Sequence, residues 1–279
     1  MVSVRNHLAN TVLTGCASRR KGPQLLASIS EISYTETNIG AAIREAASRP
    51  VPTLIRIGTD HHFVKAFERD SLSSYREVSI NAESSSADGW SGTLGDFLTR
   101  LDNRPGDGLY MKHTTLTDID PQLVARVLRP VRELNWLSSL PNEMRPSWYW
   151  LMAGQAGTGT PLHVDSMASA AWNLLITGRK IWRFLPPAEA VHLGMIPIAP
   201  AYYEFQPVEF EQTPGDLLFT PSGWAHAVEN PTETIAVTGN YIGEANIDFA
   251  ISYFEAVGEH NNALLCQDVK SAFTRKDVP

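Results

Sequence analysis

This sequence predicts a mostly β domain flanked by helices, and three observations carry that reading. Between residues 148 and 242, short apolar runs rich in Trp, Ile, Leu, Val and Phe alternate with turns containing Pro and Gly, the pattern of strands joined by tight connections. Outside that stretch, apolar residues fall at helical spacing around Ile39–Ala47, around Leu123–Leu128 and from Asn246 to Phe273. A chain of 279 residues with 43% hydrophobic content can also bury one sizeable core.

Taken in order, residues 1–30 hold Arg5, Arg19, Arg20 and Lys21 and no acid. Asn6, His7, Asn10 and Thr11 interrupt the apolar stretch that an export signal needs. No run reaches the ~18 apolar residues of a membrane span. Residues 1–22 therefore read as a flexible arm on a cytoplasmic protein with no membrane partner. A helix over Ile39–Ala47 and a strand over Thr53–Ile57 follow. Residues 81–92, rich in Ser, Ala and Gly, read as a loop, and Thr93 is placed to cap a helix from Leu94. Leu123, Val124, Val127 and Leu128 outline a helix packed outside the sheets. Trp148–Met152 is aromatic and strand-like. Residues 171–176 are mostly apolar, as in a strand buried on both faces. Ile181–Leu185 is a further strand, closed by Pro186 and Pro187. Glu189–His192 reads as a short surface helix, and residues 195–203 as a Pro-rich connection at a pocket mouth. Turns at Pro214-Gly215-Asp216 and Pro221-Ser222-Gly223 bracket the strand Leu217–Phe219, after which His226 opens a returning strand. Residues 246–273 form one or two helices.

Two short segments carry the chemistry. Thr160-Pro161-Leu162-His163-Val164-Asp165 supplies an imidazole and a carboxylate, and Gly223-Trp224-Ala225-His226 supplies a second imidazole. Two His and one carboxylate are the ligand set that holds one face of Fe(II) and leaves the other face open. On a strand, positions i and i+2 share a side, so His163 and Asp165 can meet one ion. Ten positions after His163 stands Asn173, and seventeen after it stands Lys180, among aromatic and branched residues. A lysine buried there costs free energy unless an anion pairs with it: either Lys180 snorkels from the strand end, or it is the counter-ion of a dicarboxylate co-substrate. The remaining histidines are weaker candidates. His61 and His62 sit in a polar, looped stretch, His192 lies on the surface helix, and His113, close to Tyr110, can approach the pocket, though a structural place is the stronger reading.

The stretch Gly215…Pro221…Gly223…His226…Asn230 resembles the second signature of the cupin superfamily, whose fold is a double-stranded β-helix, also described as a jelly-roll or cupin barrel. The run Thr160–Pro187, with Ala171-Trp172-Asn173 and Lys180 inside it, resembles the core of JmjC-domain oxygenases, nearest to the Jumonji hydroxylase branch. Pro50–Arg56 resembles the opening strand of that branch. The resemblance covers roughly residues 108–242. It implies that His163, Asp165 and His226 bind Fe(II), and that Lys180 pairs with the distal carboxylate of 2-oxoglutarate. It implies that Thr160, Tyr110 and Thr238 assist that co-substrate, and that Asn173 and Asn240 line its iron-side end. The activity implied is hydroxylation of an unactivated C–H bond, with O2 consumed and succinate and CO2 released. The substrate is amino-acid-like, peptidyl or a specialised metabolite. Two alternatives stand beside it: a metal-dependent cupin oxygenase or isomerase that does not use 2-oxoglutarate, and a non-catalytic Jumonji-like binding protein. Most other cupins place a Glu shortly after a His-x-His pair. This chain has no Glu between Asp165 and Glu189.

On this reading residues 23–245 form the catalytic domain and 246–279 a helical extension. In related hydroxylases carboxy-terminal helices pair two subunits, which implies a homodimer through Phe249, Tyr253 or Leu264. Cys16 and Cys266 are the only cysteines, too few for a disulfide framework or a structural zinc site. The net charge of -7 speaks against a basic nucleic-acid-binding face.

Overall fold

The computed structural model describes residues 29–86, 88–103, 106–200 and 205–275. The arm expected at residues 1–22, Cys16 and residues 201–203 of the Pro-rich connection lie outside the described residues. Thirteen strands are present among those described. In chain order they are β1 (Ser30–Ile32), β2 (Thr53–Arg56), β3 (Ser79–Ala82), β4 (Trp90–Thr93), β5 (Tyr110–Met111), β6 (Tyr149–Gly154) and β7 (Gly159–His163). Then come β8 (Ala170–Thr177), β9 (Lys180–Leu185), β10 (Val208–Gln212), β11 (Asp216–Thr220), β12 (Ala225–Glu229) and β13 (Thr234–Tyr241). Seven form a large sheet in the order β1-β2-β11-β8-β13-β6-β5, four form a small sheet in the order β10-β9-β12-β7, and β3 pairs with β4.

The layering follows from the two-residue period of a strand. On β8, Trp172, Leu174 and Ile176 pack outward under the helices, together with Leu217 and Phe219 of β11 and Ile235 and Val237 of β13. Leu218, one position out of phase, turns inward and meets Trp182 and Phe184 of β9 and Trp224. Residues of β8 from Ala170 to Ile176 are buried, as a strand covered on both faces requires. The result is the two-sheet arrangement of a double-stranded β-helix. The sheets face each other without joining into a closed barrel among the described residues.

Several expectations are corrected in detail. The loop expected over residues 81–92 contains the hairpin β3–β4, whose alternation Ile80/Ala82 is short and lies among polar residues. His61 is 7% exposed and its Nδ1 accepts from the Phe63 amide, capping the helix His62–Lys65 rather than sitting in a loop. Thr93 does accept from the Asp96 amide at 3.1 Å, at the start of the helix Leu94–Asn103.

The helices Ile247–Ala256 and His260–Thr274 pack on each other and on the domain. Ile247, Ala250, Phe254, Ala263, Cys266 and Val269 share a core with Leu137, Trp148 and Ile242. Leu264 is 58% exposed. No helix among the described residues is long and apolar enough to cross a membrane.

Candidate active site

The two facing sheets leave one cavity of about 410 Å³ between them, and every candidate site residue lines it. His163 ends β7 and His226 stands on β12, where antiparallel pairing sets them directly opposite each other. Their rings lie 4.2 Å apart, centroid to centroid. Asp165 falls just beyond the end of β7, so the expected single strand carrying both His163 and Asp165 stops at the first of them. The Asp165 backbone stays extended, at φ −57° and ψ 137°, and this keeps the alternation that aims both side chains the same way. One nitrogen from each imidazole and one oxygen of Asp165 lie within 4.8 Å of one another.

Each imidazole is oriented by its own chain. Nδ1 of His163 faces the Pro161 carbonyl at 2.9 Å, and Nδ1 of His226 faces the Trp224 carbonyl at 3.2 Å. A carbonyl can only accept, so both Nδ1 atoms carry the proton and both Nε2 lone pairs are left for the cavity. His226 is held below the ordinary histidine range, at about 4. Burial is the first cause and the neighbouring His163 adds to it, while Asp165 opposes them. The ring is thus kept in the neutral form that a metal needs. Tyr241 is shifted upward, by burial first and then by the Asp165 charge, so its phenol stays protonated.

After Asp165 the chain turns through two consecutive left-handed residues, Met167 at φ 60° and Ala168 at φ 54°. Such backbone persists where its surroundings over-determine it. Here Ser222 Oγ donates to the Ala168 carbonyl at 2.7 Å and Asn246 Nδ2 donates to Ser222 Oγ at 2.8 Å. Ser169 Oγ donates to the Ser166 carbonyl at 2.8 Å and accepts from Asn240 Nδ2 at 2.8 Å.

Lys180 opens β9 and is 1% exposed. Its Nζ donates to Asn230 Oδ1 at 2.8 Å and lies 5.8 Å from the centroid of the Tyr110 ring. Lys112 Nζ lies 5.8 Å from the same centroid and is paired with Glu83 at 2.9 Å. Asn173 is buried, and its Oδ1 has no protein partner. A buried orphan acceptor facing a cavity is what a bound molecule or water satisfies. Asn173 stands opposite Thr238 across β8 and β13. The single hydroxyl proton of Thr238 goes to the Trp172 carbonyl at 2.6 Å, so in this arrangement it is not offered to a carboxylate. Thr160 lines the cavity from β7.

The spacing of residues in the sequence did not single out Asn230 as the partner of Lys180, nor Lys112. The signal for Lys112 was its place two positions after Tyr110, on the same side of the chain. His113, expected to be structural, is 76% exposed at its side chain, 3.7 Å from Glu83 and at the edge of the cavity.

Comparison with known proteins agrees with this geometry. The family model for the cupin-like domain matches residues 60–246. The lysine-specific demethylase JMJ21 of Arabidopsis thaliana is 31% identical over 63% of this chain and 21% of its own length. The bifunctional arginine demethylase and lysyl-hydroxylase psr-1 of Caenorhabditis elegans is 33% identical over 38% of this chain and 32% of its own. The 2-oxoglutarate and iron-dependent oxygenase JMJD4 of Mus musculus is 32% identical over 40% of this chain and 31% of its own. The chain therefore spans about a third or less of the length of these relatives.

Proposed function

The chain belongs to the cupin-like domain family, in its JmjC oxygenase branch, and from that premise we propose that it is an Fe(II)- and 2-oxoglutarate-dependent dioxygenase that hydroxylates an amino-acid-like, peptidyl or specialised-metabolite substrate. One observation carries the reading: the convergent donors of His163, Asp165 and His226 share a single cavity with the buried ammonium of Lys180. A relative, JMJD4, is named for the same metal and co-substrate.

The donor set fits Fe(II): two neutral imidazoles suit iron, and one carboxylate offsets part of its charge while leaving positions open. His163, Asp165 and His226 would hold the ion. Bound iron would supply the activation of O2 that couples decarboxylation of 2-oxoglutarate to oxidation of a C–H bond, releasing succinate and CO2. The chain's own residues do the rest. The Pro161 and Trp224 carbonyls fix the imidazole tautomers. Lys180 binds the distal carboxylate and sets the depth at which the co-substrate lies. The Asn173 carbonyl accepts from a bound water or substrate N–H or O–H group. Trp182 and Val228 wall the cavity and exclude water from the reacting centre. A buried cation lining the same cavity as the candidate metal ligands favours this reading over a metal-only cupin, which has no use for one. An intact donor set favours it over a non-catalytic binding protein.

We further propose a homodimer associating through the helices Ile247–Ala256 and His260–Thr274, with Leu264, Phe249 or Tyr253 at the interface. Leu264 is the large apolar side chain these helices leave most exposed.

The test is formation of succinate from 2-oxoglutarate with Fe(II), screened over amino acids, peptides and extracts, with mass detection of an added oxygen. Lys180→Ala is expected to raise the 2-oxoglutarate requirement about tenfold or more, the scale of a lost charge-assisted contact, with Fe(II) affinity unchanged. A wild-type protein that consumes no 2-oxoglutarate under any of these conditions overturns the reading.

A further inference from the structure

Behind Lys180 lies a buried hydrogen-bonded chain that the chemistry described so far does not use. Asn230 follows β12 directly and is 0% exposed. Both ends of its amide are engaged. Oδ1 accepts from Lys180 Nζ at 2.8 Å, and Nδ2 donates to Thr158 Oγ1 at 2.9 Å. Thr158 Oγ1 spends its own proton on the Gln155 carbonyl at 2.6 Å, so it can only accept from Asn230. The direction of the chain is therefore fixed. Reversing the amide would aim N–H groups at an ammonium and leave two acceptors facing each other at Thr158. The main chain locks the same residues together: Gly157 N donates to the Asn230 carbonyl and Asn230 N to the Thr158 carbonyl, both at 2.8 Å. Gln155 Oε1 in turn accepts from the amide of Leu109, the neighbour of Tyr110.

The choice of an amide at this position has a physical consequence. A neutral acceptor takes one of the three ammonium protons of Lys180 and leaves its charge uncompensated. A carboxylate of the same shape would neutralise Lys180 inside a low-dielectric site, and an arriving anion would find no free charge. An apolar residue would leave the ammonium without its anchor. We propose that Asn230 is a positioning residue: it aims Lys180 into the cavity and keeps its charge available for the distal carboxylate of a 2-oxo dicarboxylic acid. This rests on the assignment of Lys180 made under Proposed function.

The experiment is a binding measurement on the full chain loaded with Mn(II), which does not turn over in air. Wild type and Asn230→Asp are titrated calorimetrically with 2-oxoglutarate and with 2-oxobutanoate, which keeps the 2-oxo acid end and lacks the distal carboxylate. Mn(II) affinity is read separately by electron paramagnetic resonance. Asn230→Asp is expected to weaken 2-oxoglutarate about tenfold or more while Mn(II) and 2-oxobutanoate bind as in wild type. Thr158→Val, nearly isosteric, removes the acceptor that orients the amide and is expected to produce a smaller loss with the same selectivity; it decides the matter if Asn230→Asp does not fold. Unchanged 2-oxoglutarate binding in the folded variants overturns the proposal, as does an equal loss for both acids, which marks a general structural role. If wild type itself binds 2-oxobutanoate as well as 2-oxoglutarate, or neither, the assignment of Lys180 is what fails, and this proposal falls with it.

Discussion

His163 and His226 are posed by the same local device, an imidazole Nδ1–H donating to the carbonyl two positions earlier in the chain. Each imidazole is thereby oriented by its own chain, and the sheet pairing of β7 with β12 sets their separation. Replacing His163 or Asp165 by Ala is expected to abolish Fe(II) binding and turnover. The circular dichroism spectrum and unfolding midpoint should stay close to wild type, since both residues are only partly buried. The buried histidine behaves differently. His226 is held at about 4 against an ordinary 6.5. The unfolded chain takes up a proton near 6.5 that the folded chain refuses until about 4. Its contribution to stability is therefore whole above pH 6.5 and lost as pH falls from there toward 4, by up to about 3 kcal/mol. Urea unfolding of the metal-free protein across pH 7 to 4 measures this, and His226→Gln should flatten that part of the profile. These three side chains were legible in the sequence because their chemistry is unusual and their spacing short. Asn230 was legible as part of a motif but not as a partner. Lys180 stands 50 positions earlier, and only the pairing of β9 with β12 brings them together.

At the scale of elements, turns decide where the site side chains sit. Gly178, between β8 and β9, adopts φ +85°, and a Cβ there would lie 1.9 Å from the Glu233 carbonyl oxygen. It is the hinge from which Lys180 enters β9, two positions on. Gly178→Ala is expected to cost roughly 2 kcal/mol through strain and overlap, measured as a shift in urea midpoint. It should also weaken 2-oxoglutarate binding, because β9 must move to relieve the clash. Gly159 plays a related part on β7, where a Cβ would meet the Val228 carbonyl at 2.2 Å. The longer strands were readable from continuous apolar runs. The hairpin β3–β4 and four-residue helices such as Arg69–Leu72 were not, since each offers too few residues to express a period.

On the scale of the whole molecule, the large sheet is covered by helices on one face and by the small sheet on the other, and the cavity is the part of that inner layer left unfilled. Two facing sheets were legible from the second signature and its turns. The strand order was not, because nothing local in Thr53–Arg56 says that it lies beside Asp216–Phe219. The carboxy-terminal helices were expected to pair two subunits. Much of their apolar surface is buried on their own domain, leaving Leu264 as the most exposed of the large apolar side chains there. Light scattering at micromolar concentration tests the proposed homodimer: a mass near twice 30.8 kDa is expected, falling to the single-chain value in Leu264→Glu.

The position of β2 has a consequence in time. A strand formed by residues 53–56 is held by hydrogen bonds to residues 216–219, and the candidate metal ligands stand at 163, 165 and 226. During synthesis none of these can meet until most of the chain has left the ribosome, and β2 must wait in the meantime with one edge unpaired. Contacts of such sequence separation are slow to close. The candidate metal site therefore forms only once β7 has met β12 in the small sheet, and the onset of metal binding dates that pairing.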